Sequence, residues 1–120
     1  MSKRSTLAPL FSLTNLKGLT NGDSELMNEF NRVFLQNTIE TDLPNLKECC
    51  EKGDFEGIRW YTHKIKPSVD LYSMDSISET VRKAEKLATQ FTDLDLIRSL
   101  VHEILSVMDV VEGEIRAICQ

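Results

Sequence analysis

Glycine and proline are scarce in this chain, 5 and 3 of its 120 residues. That scarcity argues against a turn-rich all-β design, which needs both at its reversals. Positive charge is also short: Lys and Arg number 14 against 19 Asp and Glu, a formal net charge of −5. The sign is wrong for binding nucleic acid through its phosphates. No apolar run approaches the roughly 18 residues that cross a bilayer. Neither nucleic acid nor membrane is therefore an expected partner. The 3 cysteines, Cys49, Cys50 and Cys119, are odd in number and two are adjacent, which is no disulfide framework. Without a Cys-x-x-Cys pair, and with His63 and His102 the only histidines, no metal site of familiar spacing assembles. The basic start Met1-Ser2-Lys3-Arg4 leads into a Leu7 to Leu13 stretch interrupted by Pro9 and Ser12, too short for a signal peptide. A reduced, cytoplasmic protein is expected.

What is present is a helical pattern. Apolar residues make up 41% of the chain, sufficient for one core, and the length fits one domain. Residues 1–12 read as a loose N-terminal arm and residues 13–120 as the domain, with a short helix over Leu13 to Leu19. Asn21-Gly22 stops that helix and Asp23 starts the next as an N-cap. Leu26, Met27, Phe30, Val33 and Phe34 then recur at helical spacing, resumed by Leu43, Leu46 and Cys50. Pro44 cannot donate a backbone hydrogen bond, so Thr41 to Pro44 should bend or interrupt this long helix. Gly53-Asp54 is a second stop and start, and the helix after it should run to about Leu71. Ser76 with Glu79 has capping-box spacing for a third long helix, striped by Ile77, Val81, Ala84, Ala88 and Phe91. Thr92-Asp93 precedes the last, whose stripe runs from Leu94 through Ile97, Val101, Ile104, Met108, Val111 and Ile115 to Ile118. Four such helices joined by short turns predict an all-α, antiparallel up-down-up-down four-helix bundle.

The helix from Asp54 to Leu71 carries the chemistry. At about 100° per residue, Ile58, Tyr61, Ile65, Val69 and Tyr72 face the core. His63, Lys66, Pro67 and Asp70 follow i, i+3, i+4, i+7 spacing and share the outer face with Arg59, while Trp60 flanks them. A neutral imidazole attacks phosphorus, and an adjacent ammonium offsets charge on the transferred group. Arg59 and Lys66 should disfavour a protonated His63, with Asp70 opposing them. His102, beside the last stripe, reads as a half-exposed structural histidine. Cys49 and Cys50 read as small hydrophobes at the end of a helix.

The string His63-Lys64-Ile65-Lys66-Pro67-Ser68, followed by Leu71, Tyr72 and Met74, resembles the motif of histidine-phosphotransfer (HPt) domains. In that family the motif is His-x-x-Lys/Arg-Gly-Ser/Ala, on the second helix of a four-helix bundle. Asp23 to Leu26, Phe34-Leu35, Leu43 to Leu46 and Gly53 to Glu56 extend the likeness over most of the chain. The resemblance implies a phosphorelay intermediate, a carrier and not a kinase. It would accept a phosphoryl group from a receiver-domain aspartate onto His63 and pass it to another receiver aspartate. Lys66 maps onto the phosphate-stabilising cation, and Glu85 onto a position where some members hold the imidazole. Response-regulator receiver domains, in some members part of a hybrid sensor histidine kinase, are the implied partners of a monomeric domain. The chain needs no cofactor of its own, since the receiver supplies the magnesium site. Two positions depart from the pattern: Pro67 stands at the family glycine, and Ser73 replaces a later one. Pro67 should kink the helix at His63, whose carbonyl loses its hydrogen bond. The competing reading is a non-catalytic helical adaptor that docks a receiver through Arg59, Trp60, Pro67 and Asp70.

Overall fold

The computed structural model of the chain describes residues 10–119. The expected loose arm therefore lies mostly outside the described residues. Of its end, Leu10 and Phe11 pack against the core, and the Ser12 amide donates to the Tyr72 carbonyl at 2.8 Å.

The described residues are all-α, without a β-strand. A short helix α1 (Thr14–Thr20) is followed by α2 (Ser24–Val33), a π-helical segment (Phe34–Asp42) and α3 (Leu43–Lys52), joined end to end. Then come α4 (Phe55–Leu71), α5 (Asp75–Thr89) and α6 (Leu94–Ile118). The helix starts have a shared chemistry. Asp23, Asp54 and Asp93 each accept a hydrogen bond from the backbone amide three residues on, at 3.0, 3.0 and 3.2 Å. Each satisfies an amide that the first turn leaves without a helical partner. At the α3–α4 corner Gly53 takes φ +71, which closes α3 with the Asp54 amide bonded to the Cys49 carbonyl at 2.9 Å. A Cβ on Gly57 would collide with Cys49 Sγ, so that glycine lets α4 approach α3.

Pro44 does not break the long rod; it stands in the first turn of α3, where a missing amide hydrogen matters least. The interruption expected there takes the form of the wider π register immediately before it. The Leu43 amide reaches back five residues to the Thr38 carbonyl, and Thr41 Oγ1 donates to the Gln36 carbonyl at 2.9 Å. The α4 helix likewise runs unbroken through Pro67.

The core is built from Leu46 of α3, Ile58 and Ile65 of α4, Ile77 and Val81 of α5, and Ile97, Ile104 and Ile115 of α6, all fully buried. Each contributes roughly 1.5–3 kcal/mol by leaving water. Helix α3 packs on α4 and α6, α4 on α5, and α5 on α6, which closes a ring around that interior. Tyr72, also buried, packs on Phe34 in a tilted arrangement with ring centroids 4.7 Å apart and donates its hydroxyl to buried Asn31 at 2.6 Å.

Several sequence expectations need correction. Leu26, Val33, Phe91 and Ile118 are exposed and do not belong to the core stripes. Phe91 lies beyond the end of α5 at φ 53, past the point where helical periodicity applies. Ser76 does not cap α5, because the helix already includes Asp75 and its N-cap position falls on Met74. His102 is exposed on the surface of α6.

Candidate functional site

The site is a seam between α4 and α5. The two helices pack on each other, and Ile65 and Val69 of α4 and Ala84 and Ala88 of α5 are all buried. Small alanines bring the backbones close, since interaxial distance follows side-chain size at the contact. Glu85, next to Ala84, thereby reaches across to α4.

His63 projects from the middle of α4 with 64% of its side chain exposed. Its Nδ1 lies 3.0 Å from Glu85 Oε2, and Lys66 Nζ lies 2.7 Å from Glu85 Oε1. One carboxylate thus joins the histidine and the lysine. Three effects act on Glu85. Burial, the largest single influence, raises its pKa; hydrogen bonds from Lys66 and His63, with their charges, outweigh it and leave the pKa below the ordinary value. An ionised carboxylate only accepts hydrogen bonds, so the imidazole must carry its proton on Nδ1. In the neutral ring the lone pair then sits on Nε2, which has no hydrogen-bond partner among the described residues. The neighbouring Thr62 is fully buried and donates its hydroxyl to the Ile58 carbonyl at 2.7 Å.

The other expected residues are distributed around this triad. Arg59 is held by Glu56, with Nη2 to Oε1 at 3.2 Å. Asp70 is paired with Arg82 of α5 through bonds of 3.2 and 3.3 Å. Neither charge is directed at His63, and the expected balance of Arg59 and Lys66 against Asp70 is replaced by direct contact with Glu85. Pro67 is exposed one turn beyond His63. Trp60 is 55% exposed one turn before it, and Phe91 is 60% exposed while packing edge-on against Phe55. Ser73 adopts φ 50, a left-handed conformation that glycine takes without penalty, and Asn15 of α1 donates to its hydroxyl at 3.1 Å.

Arg82 and Lys64 escaped the sequence reading. Arg82 and Glu85 are three residues apart on α5 and oppose Asp70 and Lys66 in charge, so an antiparallel pairing of the two helices would have signalled it. Lys64 was hidden by its place in the motif string. It turns away from the seam to Asp42, with Nζ 3.3 Å from Oδ1. The adjacent thiols of Cys49 and Cys50 are poor nucleophiles: burial pushes Cys50 up to about 11 and raises Cys49.

Among the described residues no three His, Cys, Asp or Glu side chains gather where a metal ion would bind, and no helix is long and apolar enough to cross a membrane. Comparison with protein families, curated proteins and solved structures finds no match to this chain.

Proposed function

We infer that this chain is a histidine-phosphotransfer domain of a cytoplasmic phosphorelay, folded as an antiparallel four-helix bundle, with His63 as the phosphoryl carrier. The reading rests on one observation above the others: an exposed imidazole whose Nδ1 is held at 3.0 Å by Glu85 and whose Nε2 has no hydrogen-bond partner among the described residues. A receiver domain bearing an aspartyl phosphate is the donor. The Nε2 lone pair forms the P–N bond as the acyl phosphate P–O bond breaks, and the aspartate leaves as carboxylate. The ring keeps its Nδ1 proton, and its developing positive charge is balanced by Glu85. The reverse step returns the electron pair to Nε2 and delivers the group to a second receiver aspartate. Lys66, anchored beside the ring, is placed to steady the phosphoryl oxygens, and the receiver's carboxylates supply the magnesium site. No step requires a nucleotide.

Incubation with a phosphorylated receiver tests this. The wild-type chain should acquire an acid-labile, alkali-stable label, and His63→Gln should acquire none. Equal labelling of both proteins overturns the assignment. A second reading, a helical adaptor that docks a receiver without taking phosphate, is favoured by exposed Trp60 and Pro67, one turn to either side of His63. It predicts receiver binding that His63→Ala leaves unchanged, with no label on the wild type.

A further inference from the structure

A second feature lies on the other flank of α4, where it meets the π-helical segment. A cavity of about 210 Å³ opens there, with Phe34, Leu71 and Tyr72 among its apolar walls and Asn37, Thr38, Asp42, Lys64 and Ser68 on its polar side. The Asp42 side chain is only 4% exposed, and its Oδ1 accepts no hydrogen bond. Lys64 Nζ stands 3.3 Å from that oxygen without making one, and half of the lysine side chain is in water. A carboxylate oxygen shut away from water without a donor is costly, by about 1–3 kcal/mol or more for a charged group. Neither Thr38 nor Ser68 donates to it; their hydroxyls share a hydrogen bond of 3.0 Å with each other. The segment that presents Asp42 is itself uncommon: π-helical turns are rare and concentrate at functional sites.

We propose that this cavity is a binding site for a free α-amino acid with a short apolar side chain. The site carries one negative and one positive group side by side, so its complement carries the same pair, reversed, on neighbouring atoms. The ligand ammonium donates to Asp42 Oδ1, and the ligand carboxylate draws the exposed Lys64 ammonium onto itself. The apolar side chain lies against Leu71 and Tyr72. The volume sets the size, since about 210 Å³ equals roughly seven waters at about 30 Å³ each, which suits valine or leucine. An amine alone would leave Lys64 beside a second cation, and a carboxylate alone would face Asp42. This site is independent of the phosphoryl carrier on the α4–α5 seam.

The experiment is an amide-resolved NMR titration of the full chain with L-leucine, isoamylamine and 4-methylvalerate. Leucine should produce saturable shifts at the amides of Asn37, Thr38, Asp42, Lys64 and Ser68. The two single-charge analogues should bind at least about tenfold more weakly, the loss of one charge-assisted contact. Asp42→Asn should weaken leucine binding to a similar degree. Asn37→Phe, at an exposed position on the rim, should block it without touching the core. Absence of saturable shifts at those amides, equal binding of either analogue, or leucine binding retained in Asp42→Asn or in Asn37→Phe overturns the proposal.

Discussion

Helix α4 sends two lysines, Lys64 and Lys66, to carboxylates on opposite flanks, and the two pairs are built differently. On the α5 side Glu85 is 19% exposed and both its oxygens are engaged, one by Lys66 at 2.7 Å and the other by His63 at 3.0 Å. On the π-helical side Asp42 is more deeply buried, yet its one cation stands off at 3.3 Å and its Oδ1 lacks a hydrogen bond. Full engagement fixes geometry, and Glu85 accordingly holds the His63 ring in one tautomer. Partial engagement in a dry place stores unfavourable free energy that a ligand or a mutation can release.

The largest expected effect breaks the first pair. In Glu85→Gln the amide oxygen is the natural acceptor for Lys66, which leaves the amide NH2 facing His63 Nδ1. The ring must then accept there and carry its proton on Nε2, which removes the lone pair that the proposed transfer uses. Phosphoryl acceptance from a phosphorylated receiver should fall by about 100-fold, measured as the single-turnover labelling rate. Asp42→Asn, on the other flank, should stay within about twofold. A similar loss in both variants would mean that the rate follows general packing and not the tautomer.

The second effect is on stability. Lys64→Met leaves Asp42 buried without its cation, which should cost about 1–2 kcal/mol, at the low end for a buried pair because half of the lysine is in water. Replacing both groups, Asp42→Leu with Lys64→Met, should recover that loss, since an apolar pair needs no compensation. Urea denaturation of the two single variants, the double variant and the wild type measures the cycle. A double variant no more stable than Lys64→Met would show that Asp42 is not under the stress described.

The contrast also marks what was legible in the residues. Helix limits at Asp23, Gly53, Asp54 and Asp93 followed from local chemistry, because a cap needs only its own turn. The buried stripes of α4 and α6 followed from period alone. Phe91 and Ile118 were misread because a stripe has no internal sign of where the helix stops covering it. Pro44 announced an irregularity, but not its form: a π register depends on which carbonyls the preceding turns release. His63, Lys66, Pro67 and Asp70 were correctly grouped on one face, whereas their electrostatics were not. Arg59, Lys66 and Asp70 each found a carboxylate or guanidinium closer than the imidazole, and two of those partners belong to α5. Spacing within one helix cannot supply the register between two. The Asp42–Lys64 pair needed that same inter-helix register and was invisible for the same reason.

The smallest effect separates charge from packing at Glu85 itself. Its folded-state pKa is lowered relative to the ordinary 4.5: burial raises it, and the Lys66 and His63 hydrogen bonds more than offset that. A carboxylate depressed in the native state stabilises the fold fully above its unfolded value and loses that contribution as pH falls through the folded one. The thermal midpoint of the wild type should therefore exceed that of Glu85→Gln by a constant margin near neutrality. The margin should be no more than about 4 °C, which is what a partly exposed ion pair of at most about 1 kcal/mol produces in a domain of this size. Below pH 4.5 the two curves should converge, because a protonated Glu85 resembles glutamine in charge. A margin that persists undiminished to pH 3 would assign the stabilisation to shape and packing, and would leave the ionised carboxylate no part in holding the ring.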